Sequence, residues 1–261
     1  MSPSETGGTR PSKRYLRWTL NERVQHWTLA VTFLLLVITG FALKYPEAWW
    51  VRPFLGVEWQ FNLRGLLHRV AGTVFLALGV YHISYMLGTR RGRELRAAFR
   101  PRPQDLRDLV HNVSYNLGLR RQRPAFAHFT YMEKVEYLAL IWGAVIMGVS
   151  GLMLWFEEVT LLLFPKWVLD LVTVIHLYEA WLASLAILVW HFYYVILNPD
   201  VYPLNTSMID GMISEEALRE EHFLEWQALQ SGEKQQTSES NKAQKRQAIG
   251  KIGAAHGRPS D

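Results

Sequence analysis

Two apolar stretches of the chain each carry a pair of histidines. His68 and His82 stand fourteen residues apart, and His176 and His191 fifteen. At a rise of ~1.5 Å per residue each pair spans roughly 21–22 Å of helix, about two-thirds of a membrane. Fourteen residues at ~100° each return to within about 40° of the starting direction, so both rings of a pair face nearly the same way. Two such helices side by side present two stacked sites, each able to hold a metal between facing imidazoles. That arrangement points to a pair of b-type haems, one near each membrane surface.

The residues between the histidines suit this chemistry. His68, Gly72, Phe75, Gly79 and His82 form one continuous stripe, and His176, Ala180, Ser184, Ile187 and His191 form another. Small residues in the middle leave a trough for a flat macrocycle, although they also suit plain helix packing in membranes. Ionisable side chains are costly in lipid, so a histidine within a span is a functional candidate.

The elements that must position these residues are membrane helices. Four apolar segments, Val24–Leu43, Gly65–Leu87, Val135–Phe156 and Trp167–Leu197, reach the ~20 residues that cross a bilayer. The first is too long for a cleaved signal peptide and lacks a small-residue cleavage site. The expected fold is all-α: an integral membrane four-helix bundle. Basic residues cluster before the first helix (Arg10, Lys13, Arg14, Arg17, Arg23) and between the second and third, where Gly88–Met132 holds ten arginines. The other two connections carry few. The positive-inside rule then puts both termini and the middle loop in the cytoplasm of a bacterial inner-membrane protein. The basic balance follows topology, so no nucleic-acid partner is expected. The chain has no cysteine, which excludes c-type attachment, iron–sulfur ligation and disulfides within it.

Composition divides the chain into an N-terminal arm at 1–20, a transmembrane di-haem domain at 21–200, a cytoplasmic helical segment at 201–229 and a disordered tail at 230–261. Tyr45, Trp49, Trp50 and Trp59 form an aromatic belt in the first connection. Asp105–Leu119 reads as a short helix on the inner membrane surface, and Ser214–Leu229 as a soluble helix. His111, His128 and His222 lie in polar segments and are expected on the surface, with His256 in the tail.

This topology sends the second and fourth helices from outside to inside. His68 and His176 then lie near the outer surface, and His82 and His191 near the inner one. His26, just inside the first helix, reaches the same depth as His82 and His191. Three histidines therefore compete for two axial positions at the inner site, and spacing leaves the choice open.

The run Asn21-Glu22-Arg23-Val24-Gln25-His26-Trp27 resembles the acidic–Arg–x–x–His–Trp opening of the cytochrome b subunits of respiratory formate dehydrogenases, nickel–iron hydrogenases and thiosulfate reductases. Leu67-His68-Arg69, Ile175-His176 and Trp190-His191 also fall where that b561-like family places haem ligands. The likeness covers roughly Arg14 to Trp226. It implies His68 and His176 for the outer haem and His26 with His191 for the inner one, with His82 as the alternative inner ligand. One departure is that the family's last two ligands commonly stand fourteen apart, against fifteen here.

Arg64 and Arg69 lie beside the outer position, where they pair with haem propionates or simply snorkel to the interface. Arg23 has the same two readings on the inner side. A quinone needs an apolar slot with hydrogen-bonding groups, and Glu133, Lys134 and Glu136 at the start of the third helix supply such groups. The Asn-x-Gly segment of the resembling formate dehydrogenase subunits does not carry over, because Thr130 and Met132 stand there. Glu179, about one turn after His176, is placed to support that ligand or to release protons.

The expected function is therefore electron transfer by a membrane di-haem subunit. It would act between a quinone pool and a periplasmic redox partner carrying Fe–S, c haem or a catalytic metal. A self-contained b561-like oxidoreductase acting on a small reductant or superoxide is the alternative. A haem-free transporter, which would show broken helices, is a third.

Overall fold

In a computed structural model, which describes residues 13–51, 59–199, 201–236 and 239, the chain is built almost entirely from helices. In order they are α1 (Leu20–Lys44), α2 (Trp59–Gly88), α3 (Arg90–Phe99), α4 (Pro103–Asn116), α5 (Tyr131–Trp155), α6 (Glu157–Leu163), α7 (Lys166–Leu185), α8 (Ser207–Asp210) and α9 (Glu215–Glu221). Residues 223–236 are also helical. Helix α7 continues without a break into two π-helical turns, Ala186–His191 and Tyr193–Leu197. Four helices are long and apolar enough to cross a membrane: Leu20–Lys44, Leu63–Gly88, Tyr131–Trp155 and Lys166–Leu197. Each stays helical throughout, so the broken spans expected of a transporter are missing from the described residues.

The spans are inverted relative to a soluble core. Leu34, Val80, Trp142 and Leu188 are all more than half exposed, whereas Gln25, Thr32, Thr39 and Ser150 are buried. Lipid solvates Leu and Val as well as a protein interior does, so the polar and small residues are the ones that turn inward. Helix α1 packs along α2 and α5 along α7, giving two antiparallel hairpins. The bundle belongs to a compact unit of Arg14–Pro103 and Tyr131–Ile213.

Helix α1 begins four residues before the expected Val24 because Thr19 caps it. The Glu22 amide donates to Thr19 Oγ1 (3.4 Å) and the Thr19 amide to Glu22 Oε2 (2.8 Å), a capping box. The buried Glu22 carboxylate also accepts from the Tyr85 hydroxyl (2.9 Å) and Arg91 Nε (3.1 Å). One carboxylate thus ties the start of α1 to the end of α2 and to α3. Glu22→Ala removes the side-chain half of the capping box and leaves Tyr85 and Arg91 without this acceptor, at a cost of about 2–4 kcal/mol. Thermal unfolding in detergent should show a clear fall in midpoint, and Glu22→Gln a smaller one. The corner into α3 demands glycine at 92, where a Cβ would lie 2.1 Å from the Tyr85 carbonyl oxygen.

Two three-residue strands depart from the all-helical expectation. β1 (Arg14–Leu16) pairs with β2 (Met212–Ser214). Segments this short carry no periodicity to read. Beside them Arg14 Nη2 donates to Asp210 Oδ2 (2.5 Å). That guanidinium, with help from the Met212 amide, holds the Asp210 carboxyl below its usual range. Arg23 Nη1 and Trp27 Nε1 donate to the carbonyls of Ile209 and Met208 (2.5 and 2.9 Å), which fastens α8 to the start of α1. Arg23 is thus engaged with backbone through Nη1.

The second compact unit comprises, among the described residues, Lys13, Gln104–Thr130 and those from Ser214 onward. Ser214 caps α9, accepting from the Ala217 amide (3.2 Å). Here the sequence expectation for His222 fails: it is only 3% exposed and its Nδ1 bonds the Ala127 carbonyl. His128 keeps about a quarter of its side chain exposed, with its Nδ1 2.6 Å from Glu225 Oε1. Polar neighbours in sequence disguised a small packed core. His111 is half-buried, with its Nε2 3.1 Å from the Gln122 carbonyl oxygen. Leu106, Val110 and Val113 line an exposed apolar face of α4, and Leu117, just past its end, is exposed as well. Helix 223–236 runs past Gln230 into the segment expected to be disordered; residues 1–12, His256 and most of that tail lie outside the described residues.

Candidate functional site

Two pairs of histidine rings meet inside the bundle. His68 on α2 faces His176 on α7, with ring centroids 6.4 Å apart. His26 on α1 faces His191 at the end of the first π turn, with centroids 6.2 Å apart. His176 and His191 share one continuous helix, so the two pairs sit fifteen residues apart along it. In a plain α-helix fifteen residues at ~100° would carry His191 about 60° past the direction of His176. The π turn bonds i→i+5 rather than i→i+4 and absorbs one residue, which keeps His191 on the inner face.

The first pair is held by matching cradles. His68 Nδ1 lies 3.0 Å from Thr39 Oγ1, and His176 Nδ1 lies 2.8 Å from Ser150 Oγ. Each hydroxyl spends its proton on a backbone carbonyl one turn back, Thr39 on Leu35 (2.5 Å) and Ser150 on Ile146 (2.6 Å). The hydroxyl oxygens therefore accept, the histidines donate from Nδ1, and Nε2 is left with its lone pair, as a metal ligand requires. A glycine follows each hydroxyl. A Cβ at Gly40 would lie 3.1 Å from His68 Cε1, and one at Gly151 would lie 3.3 Å from His176 Cε1. The dipeptides Thr39-Gly40 and Ser150-Gly151 thus perform the same task in the two hairpins.

At the second pair the supports differ. His191 Nδ1 lies 2.5 Å from the Glu136 carboxylate on α5. His26 Nδ1 is buried without a hydrogen-bond partner among the described residues. His82, the other contender for this position, is turned elsewhere. Its Nδ1 meets Gln25 Oε1 (2.8 Å) and its Nε2 meets the Tyr137 hydroxyl (2.9 Å), so both nitrogens are occupied. Adjacent residues on α1 point ~100° apart, which lets Gln25 engage His82 while His26 faces His191.

The ring spacing fits a metal held between two imidazoles. Metal–nitrogen bonds of ~2.0–2.1 Å, with roughly 1.1 Å from each nitrogen to its ring centre, put the centroids ~6.3 Å apart. Two nitrogens alone leave an ion short of ligands. Among the described residues no group of three or more His, Cys, Asp or Glu completes a shell. A tetradentate macrocycle would supply what is missing, and the histidine stripe of α2 leaves room for one. A Cβ at Gly79 would meet nothing within 4 Å, and one at Gly72 only Leu36, at 3.9 Å. The residues therefore fit two haems.

The remaining candidates are dispersed. Arg64 Nη1 donates to the Ala42 carbonyl near the end of α1, and Arg69 lies over the Trp155 ring at 5.7 Å. Glu133 accepts from the buried Arg17 (3.3 Å), and Lys134 is buried. Of the three acidic or basic groups expected at a quinone, Glu136 is the one that touches a histidine of the pairs. Glu179 reaches α5, where its Oε1 would lie 2.8 Å from a Cβ at Gly143, so glycine there makes room for the carboxylate. Thr39, Ser150, Gln25 and Tyr137 escaped the sequence reading. The one signal for the first two was a hydroxyl followed by glycine inside an apolar span.

A family model described as prokaryotic cytochrome b561 matches residues 17–211. No curated protein matches the chain.

Proposed function

We propose that this chain, which belongs to the prokaryotic cytochrome b561 family and is thus a multi-pass membrane haem b electron-transfer protein, carries electrons between a quinone pool and a periplasmic redox partner through two haems b. The observation that supports two haems is the pair of facing rings, 6.4 and 6.2 Å apart, at separate levels of one bundle. Haem b, when bound, supplies a one-electron iron couple whose potential its surroundings tune.

The chain's own residues do the rest. His68 and His176 hold one haem, and His26 and His191 the other, with His82 beside the second as a hydrogen-bonding neighbour. Thr39, Ser150 and Glu136 fix the ring orientations by accepting from Nδ1. Outward Leu, Val and Trp side chains seal the sites in lipid. Along α7 the two levels are roughly 21–22 Å apart, so together they cover most of the bilayer.

Residues 21–200 form this electron-transfer domain, with both termini in the cytoplasm of a bacterial inner-membrane protein. The arginines between α2 and α5 support that orientation. It puts the His26–His191 level on the cytoplasmic side, where Glu133, Lys134 and Glu136 open α5 and where quinone exchanges electrons and protons. The His68–His176 level then faces a partner subunit bearing Fe–S, c haem or a catalytic metal. The chain, without cysteine, is an electron-transfer subunit and leaves substrate chemistry to that partner. Arg64 and Arg69 flank this outer level as groups for haem propionates, and Glu179 as a support for its ligand.

Proteoliposomes with ferricyanide trapped inside test the proposal. A short-chain quinol added outside should reduce the haems and bleach the ferricyanide faster than in matched vesicles without the chain. Haems that stay oxidised under quinol would overturn the quinone assignment.

A further inference from the structure

The four histidines of the two pairs differ in what their other ring nitrogen meets, and only one meets a charge. His68 and His176 donate to the neutral hydroxyl oxygens of Thr39 and Ser150. His191 donates to the Glu136 carboxylate at 2.5 Å, in a contact where both side chains are about a third exposed. His26 Nδ1, opposite it, is buried and has no acceptor among the described residues. We infer that Glu136 sets the reduction potential of the haem at the His26–His191 level below that at the His68–His176 level. The inference rests on the two-haem reading above.

Two effects act with the same sign. A carboxylate draws the Nδ1 proton toward itself and makes the imidazole a stronger electron donor, which favours ferric over ferrous iron. The negative charge beside the ring also favours the form carrying more positive charge. A hydroxyl that already donates to its own helix does neither strongly. The difference is built into the sequence of α5: the turn that begins this helix supplies Glu136, and the far end supplies Ser150. One helix thus supports a histidine at each level with acceptors of opposite character. The resulting gradient directs electrons from the His26–His191 level toward the His68–His176 level when no membrane potential opposes it.

The test is a potentiometric titration of the full chain with its haems, followed by the α-band. His26→Ala and His176→Ala, each retaining the other level, assign the two potentials. The parent should give the lower potential at the His26–His191 level. Glu136→Gln should raise that potential by at least tenfold in the ferrous/ferric ratio at fixed potential, ~59 mV for a one-electron couple. The haem count should be unchanged and the other level unmoved. Glu136→Asp should restore much of the difference. Two haems with potentials in the reverse order, or Glu136→Gln with both haems bound and no shift, would overturn the inference alone. A parent preparation with fewer than two haems overturns the two-haem reading and the inference with it.

Discussion

His176→Ala, expressed in a haem-competent host and purified in mild detergent, should carry one haem per polypeptide where the parent carries two. His68 would keep its support from Thr39 but face a methyl group where an imidazole ring stood 6.4 Å away. A haem with one axial bond in a site shaped for two loses much of its binding energy. The remaining haem should keep its spectrum, because the other pair lies fifteen residues away along α7. His68→Ala should give the same result. Retention of two haems in either variant would show that these rings are not the ligands.

The second large effect is an asymmetry. His26→Ala should remove the other haem, whereas His82→Ala should leave both in place. The two histidines were equal contenders by depth along the helices. What separates them is occupancy of their nitrogens: His26 faces His191 with a buried Nδ1 that has no partner among the described residues, while both nitrogens of His82 are held, by Gln25 and Tyr137. His82→Ala should instead loosen contacts among α1, α2 and α5, costing about 1–3 kcal/mol for the partners left without a bond. Pyridine haemochrome on both variants reads the haem content, and thermal unfolding reads the second effect. Loss of a haem from His82→Ala alone would reverse the assignment.

The spans themselves were readable from the sequence, because lipid imposes long uninterrupted apolar segments with a strong composition signal. Their ends were less so. Thr19 begins α1 earlier than hydropathy suggests, since a capping box depends on hydrogen bonds rather than apolarity. The histidine stripes gave depth along each helix but not the neighbour across the bundle. Fifteen residues between His176 and His191 looked like a mismatch until the π turn absorbed one of them. Thr39 and Ser150 were silent because a small polar residue in a membrane helix reads as packing. Their role depends on which helix lies opposite, a tertiary fact that one chain's periodicity does not carry. Glu136 was visible as a candidate for quinone chemistry, yet its contact with His191 spans fifty-five residues. His222 was misjudged for the converse reason: its polar neighbours hid the backbone carbonyl of Ala127 that buries it.

The most direct measurement is haem b per polypeptide in the purified full chain, by pyridine haemochrome against quantitative amino-acid analysis, with reduced-minus-oxidised spectra on the same sample. Two haems b per chain are predicted, both lost together only when a residue from each pair is removed. A folded preparation holding one haem, or none, would contradict the two-site account.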